Sequence, residues 1–175
     1  MEFFDVYDAE KKKTGRTVAR GKTIDEQVYH LSVHVCIFNS DGEMLIQQRQ
    51  KLKSGWSGYW DLSAGGCVTA GEDSRSGAER ETYEELGIKV DLQESRPALT
   101  VHFAGGFDDV YLIERDLELS ELRLQKEEVR AAAWAKKEKI LEMIDAGTFI
   151  AYHKSYIELL FDMLKSRDVR SRKEW

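Results

Sequence analysis

The chain has 175 residues, of which 42% are hydrophobic and 33% charged, and its formal net charge is −6. This composition excludes collagen-like, low-complexity and disordered classes, and it gives one domain enough apolar residues for a core. The acidic balance argues against non-specific binding to a nucleic-acid polymer. No apolar run approaches the ~18 residues of a membrane span, and the two cysteines show no metal or disulfide spacing. A cytoplasmic protein without membrane attachment is therefore expected.

The N-terminal part of the chain predicts strands joined by turns. Residues 1–27 are expected to form an N-terminal extension, a β-hairpin packed on the core. Residues 28–38 alternate between apolar and more polar side chains, which predicts a strand with one apolar face. The Asn-Ser-Asp-Gly sequence at 39–42 predicts a turn, after which residues 44–48 return as a second strand.

The rest of the chain mixes helices with short strands. A helix is predicted from about residue 73 to residue 86, where Gly87 stops it as a C-terminal glycine does. A short strand is predicted after Trp60, and further strands are predicted at residues 99–103, 110–113 and 131–135, with Gly105 and Gly106 in a turn. Two amphipathic helices close the domain at residue 165, and residues 166–175 are expected to be a frayed tail. This order favours an α/β fold with a mixed sheet.

Acidic side chains are concentrated on the helix predicted at 73–86. Glu81, Glu84 and Glu85 share one face, because positions i, i+3 and i+4 are neighbours on a helix. Clustered carboxylates either raise one another's pKa or bind a cation, and oxygen ligands alone suit Mg²⁺ or Mn²⁺. Arg80 is placed to brace a carboxylate through a bidentate contact. Taken alone, the same spacing is also typical of a solvated acidic face.

The complete pattern resembles the Nudix box, which reads Gly, five residues, Glu, seven residues, Arg-Glu, an aliphatic residue, any residue, Glu-Glu, any residue, Gly and an aliphatic residue. The matching positions here are Gly66, Glu72, Arg80, Glu81, Glu84, Glu85, Gly87 and Ile88. Thr82 departs from the pattern, since an aliphatic residue is usual there. Gly77 is also unusual, because glycine costs about 1 kcal/mol relative to alanine inside a helix.

The flanking segments extend the resemblance over most of the chain. DVYDAEKKKTGRTVARG, YHLSVHVCIFNSDGEMLIQQR and GYWDLSAGG look like a MutT-like Nudix subfamily related to isopentenyl-diphosphate isomerases. The resemblance implies a Nudix-type α/β/α sandwich with a mixed β-sheet over residues 28–165. It also implies a hydrolase that cleaves a diphosphate linkage in a nucleotide-type small molecule by attack of water on phosphorus, with Mg²⁺ or Mn²⁺ as cofactor. Many relatives are dimers, so a homodimer is in keeping with it.

Roles follow residue by residue from the resemblance. The metal ligands it implies are Glu81, Glu84, Glu85 and the carbonyl of Gly66. The catalytic residues it implies are Glu84, Glu85, Arg80 and Glu128. The resemblance does not decide whether the general base is Glu84, Glu85 or a downstream acid. Glu72 and Gly87 are structural positions of the box, and Glu72 also suits an outer metal position. Glu128 is equally consistent with a solvated loop acid.

Three residues before the box are candidates for substrate binding. Arg49 ends the second predicted strand, where family members often place a cation against phosphates, although ordinary surface charge explains it equally well. Trp56 and Tyr59 are aromatic residues that could stack on a base, and residues of this kind are also common as loop anchors.

Two other functions stay open at this stage. An isomerase-like enzyme needs a catalytic cysteine in the strand before the box, where this chain has Gly65, while Cys67 lies two residues further on. His30 matches one metal-binding histidine of the isomerases, but the position of its partner falls near Thr23. A non-catalytic nucleotide sensor is the other alternative, although sensors usually lack acids of the box.

Overall fold

The computed structural model of the protein describes residues 2–21, 28–51 and 55–166. The chain divides into two compact units, and the boundaries fall inside two of its strands. The first unit comprises the described residues of Met1–Val35 and Ala64–Tyr111, and the second those of Cys36–Ser63 and Leu112–Trp175. The predicted tail, apart from Ser166, lies outside the described residues. Within the ranges that the structure covers, no helix is long and apolar enough to cross a membrane.

Most of the elements in the described part of the chain are strands, with one helix among them and two at the end. The strands are β1 (Phe3–Tyr7), β2 (Lys13–Ala19), β3 (His30–Phe38), β4 (Met44–Arg49), β5 (Trp60–Asp61), β6 (Ala64–Cys67), β7 (Leu99–Phe103), β8 (Gly106–Glu114) and β9 (Val129–Ala135). The helices are α1 (Ser74–Leu86), α2 (Lys137–Asp145) and α3 (Lys154–Lys165), with a 3₁₀ turn at Leu119–Glu121. Antiparallel pairing dominates, and a parallel bridge joins Trp60 to Phe149. The predicted α/β class with a mixed sheet is confirmed.

In the first unit, β1 and β2 form an antiparallel hairpin in which Phe3 pairs with Ala19. The hairpin is fastened to the segment that precedes α1. The Ala70 N–H donates to the Phe3 carbonyl at 2.8 Å, and the Gly71 N–H donates to Asp5 Oδ2 at 2.9 Å. The division of the chain at residue 27 stays a prediction.

The sheet of the first unit is built around β3. Its apolar residues Leu31, Val33 and Val35 are buried, as the alternating pattern predicts. It pairs antiparallel with β6, and this register sets His34 opposite Gly65. Strand β8 begins at Gly106 rather than at residue 110, so the predicted glycine turn is shorter than expected.

Helix α1 is defined by its two caps. Asp73 accepts a hydrogen bond from the Ser76 N–H at 2.8 Å, and the Ser76 hydroxyl accepts one from the Asp73 N–H at 3.0 Å. At the other end Gly87 adopts a left-handed conformation with φ of 73°, and its N–H reaches the Tyr83 carbonyl at 2.9 Å. Together these contacts satisfy backbone groups that a helix end would otherwise leave open.

The two unusual residues of α1 both have packing explanations. A Cβ on Gly77 would lie 2.9 Å from Val68 Cγ2, so glycine allows the helix to approach the chain just after β6. Thr82 is fully buried, and its hydroxyl donates to the Ala78 carbonyl at 2.7 Å. Its one polar group is therefore satisfied inside the helix, and its methyl group supplies apolar contact at the aliphatic position.

In the second unit, β4 pairs with both β5 and β9. Residues 44–47 are buried as a continuous run rather than in alternation, which indicates that both faces of β4 are covered. Helices α2 and α3 contribute Ile140, Ile157 and Leu160 to the core of this unit. The rings of Phe38 and Phe161 pack edge to face with their centroids 5.1 Å apart.

Candidate active site

Arg80 organises the acidic side chains of the first unit. Its Nε donates to Glu72 Oε1 at 2.8 Å, and its Nη2 donates to Glu72 Oε2 at 3.0 Å. Its Nη1 donates to Glu81 Oε1 at 2.8 Å and to Glu84 Oε2 at 3.0 Å. The same Nη2 also contacts the backbone carbonyl of Cys67 at 3.0 Å. One guanidinium therefore joins three carboxylates to the end of β6 and offsets their mutual repulsion.

Glu81 lies directly against Gly66. A Cβ on Gly66 would lie 2.5 Å from the carboxyl carbon of Glu81, so only glycine leaves room for this carboxylate beside the strand. The Glu81 side chain is 14% exposed, whereas that of Glu84 is 46% exposed. Helix α1 thus holds the Glu81 carboxylate against β6 and the Glu84 carboxylate at the surface, and both contact Nη1 of Arg80.

Glu85 faces a different backbone group. It is buried, and its Oε2 accepts a hydrogen bond from the Gly65 N–H at 3.0 Å. The sequence predicts that Glu81, Glu84 and Glu85 project together. In the structure Glu81 and Glu84 both contact Arg80, whereas Glu85 contacts Gly65, the residue of β6 next to Gly66.

Two glutamates that share Arg80 differ in their electrostatic environment. For Glu72, burial raises the pKa, but the hydrogen bonds from Arg80 and Thr69 outweigh burial and hold the pKa below its ordinary value. For Glu81, burial dominates and raises the pKa above its ordinary value, although Arg80 acts in the opposite direction. Burial also lowers the pKa of Arg80, but the contacts with Glu72 and Glu81 raise it above its ordinary value. Arg80 is therefore permanently charged.

The donor set fits a hard divalent cation. The candidate ligands are the carboxylate oxygens of Glu81, Glu84 and Glu85 and the carbonyl oxygen of Gly66, which are the kinds of atom that Mg²⁺ prefers. Burial costs Glu81 more than Arg80 returns, so an added cation would favour its charged form. Across residues 2–21, 28–51 and 55–166, no group of three or more His, Cys, Asp or Glu side chains is placed to hold a metal ion. Arg80 Nη1 contacts both Glu81 and Glu84.

The other predicted site residues lie in the second unit. Arg49 Nη1 lies 3.6 Å from Asp61 Oδ2, and the Arg49 side chain is 18% exposed. Arg49 is therefore a half-buried, paired cation rather than ordinary surface charge. Its backbone N–H donates to the Tyr59 carbonyl at 2.9 Å, and the Gln50 N–H donates to the Glu128 carbonyl at 2.9 Å.

Trp56 and Tyr59 form an aromatic pair in the same unit. Their ring centroids are 5.4 Å apart with an interplanar angle of 72°. Trp56 is 48% exposed and has a φ of 51°, a conformation that is uncommon for a bulky side chain. Such conformations cost free energy and concentrate at ligand-binding segments, so the geometry keeps Trp56 as a candidate contact for substrate.

One polar pair of the first unit has no counterpart in the sequence-based prediction. His34 Nδ1 lies 2.7 Å from Asp108 Oδ2, and the side chain of His34 covers Gly65, where a Cβ would lie 2.5 Å from its Cδ2. The two residues are 74 positions apart, and no motif connects them. His30, by contrast, packs between Phe4 and Phe103, with its ring centroid 5.9 Å from that of Phe4 and 5.2 Å from that of Phe103.

Several known proteins resemble this chain in sequence and in fold. The NUDIX domain family matches residues 28–155. An uncharacterized Nudix hydrolase of Listeria monocytogenes is 45% identical over 163 residues, which are 93% of this chain and 95% of that protein. The crystal structure of DR0079 from Deinococcus radiodurans superposes with a TM-score of 0.72 at 23% identity, covering 91% of this chain and 97% of that one. An isopentenyl-diphosphate Delta-isomerase of Salmonella arizonae is 29% identical over 126 residues, 67% of each chain.

The chain belongs to the Nudix hydrolase family and has its α/β fold. The resemblance inferred from residues 66–88 is confirmed, as is its identification as a Nudix hydrolase enzyme. Members of this family act on nucleoside-diphosphate-linked small molecules. The isomerases are relatives at lower identity.

Proposed function

We propose that the protein is a metal-dependent hydrolase that cleaves the diphosphate linkage of a nucleotide-type small molecule, with Mg²⁺ or Mn²⁺ as cofactor. Water is the nucleophile and phosphorus is the atom attacked. The observation that carries the proposal is the convergence of Glu81 and Glu84 on one nitrogen of Arg80, with Glu81 against Gly66. This arrangement brings two carboxylates to one guanidinium at the β6–α1 junction, with one of them against Gly66.

The ion would be held by Glu81, Glu84, Glu85 and the Gly66 carbonyl, and its chemistry is to neutralise charge on the diphosphate and to acidify water. The chain's own residues supply position. Arg80 fixes the carboxylates of Glu72 and Glu81 relative to the end of β6. In phosphoryl transfer, position and charge stabilisation account for most of the rate enhancement, so this rigid set suits the reaction.

The proton acceptor for the attacking water is assigned to Glu84 or Glu85, with Glu128 as a third candidate. Glu84 is the most exposed carboxylate of the cluster and can reach solvent. Glu85 is buried on the Gly65 N–H, which suits a fixed ligand better than a proton carrier. Glu84 is therefore the preferred base.

An isomerase function is disfavoured by the geometry around Gly65. The catalytic cysteine of that reaction would stand at Gly65, where a Cβ would lie 2.5 Å from the His34 ring and 2.8 Å from the Val33 carbonyl. The backbone of β6 thus has no room for that side chain. We also retain a cytoplasmic location and a homodimer as proposals.

The experiment is product release from a panel of nucleoside triphosphates, nucleoside diphosphates, nucleotide sugars, dinucleoside polyphosphates and prenyl diphosphates, with Mg²⁺ or Mn²⁺. Hydrolysis in ¹⁸O-labelled water shows whether the label enters a phosphate product, as attack on phosphorus requires. Metal-dependent turnover with label in phosphate is the expected result.

Two variants complete the experiment. Glu85→Gln keeps the shape of the side chain but removes one ligand charge, and turnover should fall at least about 100-fold. Glu94→Gln makes the same chemical change at an exposed position outside α1 and should leave turnover unchanged. Binding without turnover of any substrate would favour a nucleotide sensor, and interconversion of isopentenyl and dimethylallyl diphosphates would favour an isomerase.

A further inference from the structure

The β1–β2 hairpin is hydrogen-bonded to residues 70–72 of the Nudix box. Phe3 accepts from Ala70 and Asp5 accepts from Gly71, so β1 and the segment at 70–72 run in the same direction. Lys13 adds a third contact with the same segment. Its Nζ donates to the Glu72 carbonyl at 2.7 Å and lies 2.7 Å from Asp5 Oδ2. The hairpin is therefore held in register with the residues that connect β6 to α1.

This register fixes where the open end of the hairpin lies. Glu2 and Arg20 close that end, and the Arg20 N–H donates to the Glu2 carbonyl at 2.9 Å. Since Phe3 is beside Ala70, Glu2 and Arg20 lie beside the residues that precede Ala70, which include Cys67. Arg20 Nη1 contacts Glu2 Oε2 at 2.5 Å, and the Arg20 side chain is 59% exposed.

Electrostatic interactions agree with this position. The hydrogen bond with Glu2 raises the pKa of Arg20 above its ordinary value, burial opposes this, and the charge of Glu81 adds a lesser contribution in the raising direction. Glu81 is the carboxylate that lies against Gly66. An exposed guanidinium therefore stands within electrostatic reach of the proposed ligand cluster.

Arg80 is occupied by protein acceptors. Its Nε, Nη1 and Nη2 contact Glu72, Glu81, Glu84 and the Cys67 carbonyl. Arg80 therefore has no free donor for an anionic substrate beside these carboxylates, and any guanidinium that assists the metal ion there must come from another element. A guanidinium suits this task, because its planar fork matches two oxygens of a phosphate.

We propose that Arg20 of the N-terminal hairpin binds a phosphate group of the diphosphate substrate, exchanging its contact with Glu2 for that phosphate. This inference rests on the proposed function and adds a binding residue outside residues 28–155, the range that matches the family. Glu2 competes with the phosphate for the same guanidinium. Removing Arg20 weakens diphosphate binding, and removing the charge of Glu2 strengthens it.

The test is calorimetric binding of methylenediphosphonate, a diphosphate that cannot be hydrolysed, to the full chain in Mg²⁺. Arg20→Ala should weaken binding by about tenfold or more, as expected for the loss of a charge-assisted hydrogen bond. Glu2→Gln should tighten it about twofold or more. Arg16→Ala is the matched control, since it removes an exposed arginine from strand β2 of the same hairpin and should change affinity less than about twofold.

Circular dichroism and thermal melting show whether each variant still folds as the unaltered protein does. Equal affinity for Arg20→Ala and Arg16→Ala would overturn the inference, as would no binding to the unaltered protein. Kinetics separate the two proposals: with an active substrate, Arg20→Ala should raise KM more than it lowers kcat. If turnover does not depend on Arg20, the role of Arg20 is contradicted and the proposed hydrolase function is unaffected. If binding depends on Arg20 but no substrate is turned over, only the hydrolase proposal is contradicted.

Discussion

Glu72 and Arg80 form a two-pronged ion pair in which Nε meets Oε1 at 2.8 Å and Nη2 meets Oε2 at 3.0 Å. Glu72 Oε2 also accepts the Thr69 N–H at 3.0 Å, so the carboxylate joins the loop before α1 to the helix itself. The pair fixes the guanidinium that in turn orients Glu81 and Glu84. The structural role that the sequence suggests for Glu72 thus has a specific geometric form.

The first prediction concerns stability at position 72. The pKa of Glu72 is lowered in the folded protein, so its contribution is present above the unfolded pKa and is lost as pH falls through the folded pKa. Glu72→Gln should therefore reduce the free energy of unfolding at pH 7 by about 1–2 kcal/mol. The difference from the unaltered protein should shrink in acid. Urea unfolding between pH 3 and pH 7 measures both, and a difference independent of pH would contradict the assignment.

Glu81 should behave in the opposite way although it contacts the same arginine. Its pKa is raised by burial, so its contribution is favourable below the unfolded pKa and is lost as pH rises through the folded pKa. Charged Glu81 therefore opposes folding at pH 7. With divalent ions chelated, Glu81→Gln should raise the melting temperature at pH 7, in contrast to Glu72→Gln. A drop equal to that of Glu72→Gln would show that the contact with Arg80 outweighs burial.

Metal addition supplies the control for this contrast. Mg²⁺ bound only by the folded state raises its stability by mass action. Titration with Mg²⁺ should raise the melting temperature of the unaltered protein and have a much smaller effect on Glu81→Gln. An equal response in both proteins would place the cation elsewhere.

The local order of this site could be predicted because its elements are close in sequence. The box spacing sets Arg80, Glu81 and Glu84 on one helix, and Gly87 ends that helix, so α1 and its charged face follow from residues 73–87. The Nudix resemblance then supplies the fold around it. These parts depend on contacts within one or two turns of helix, which sequence spacing determines.

Long-range partners determine what sequence reasoning missed. Glu85 faces the Gly65 N–H, 20 positions away, and this depends on how α1 lies on β6. Strand β8 begins before residue 110 although Asp108 and Asp109 disfavour strands. Each has a partner there: Asp108 pairs with His34, and Asp109 pairs with Lys11. Tertiary contacts therefore override local propensity.

The next prediction uses Gly77, where helix propensity and packing oppose each other. Gly→Ala in a helix interior normally stabilises by about 1 kcal/mol. Here the new Cβ would lie 2.9 Å from Val68 Cγ2, so Gly77→Ala should destabilise the protein by about 1–3 kcal/mol. The matched background is Val68→Ala, which removes the obstructing methyl groups. In that background Gly77→Ala should be neutral or stabilising, and the double-mutant cycle should report coupling of about 1 kcal/mol or more.

Failure of that rescue would have a clear meaning. If Gly77→Ala destabilises equally with Val68 or Ala at position 68, the obstruction is not the Val68 side chain. If Gly77→Ala stabilises the unaltered protein, α1 can shift away from the chain after β6 at little cost. Urea unfolding of the four proteins in the cycle distinguishes these outcomes.

The last prediction separates Cys67 from the cysteine of the related isomerases. Burial raises the pKa of the Cys67 thiol above its ordinary 9.0, although the hydrogen bond with Ser32 and the charge of Arg20 partly oppose this. Little thiolate is present at neutral pH, so alkylation by iodoacetamide should be slow at pH 7 and should accelerate with rising pH. Cys67→Ala is the control for labelling, because it leaves the fully buried Cys36, which should react only after unfolding.

The Cys67→Ala variant should keep hydrolytic activity, since Arg80 contacts the backbone carbonyl of residue 67 rather than its sulfur. Rapid labelling at pH 7 together with lost activity would instead make Cys67 part of the reaction.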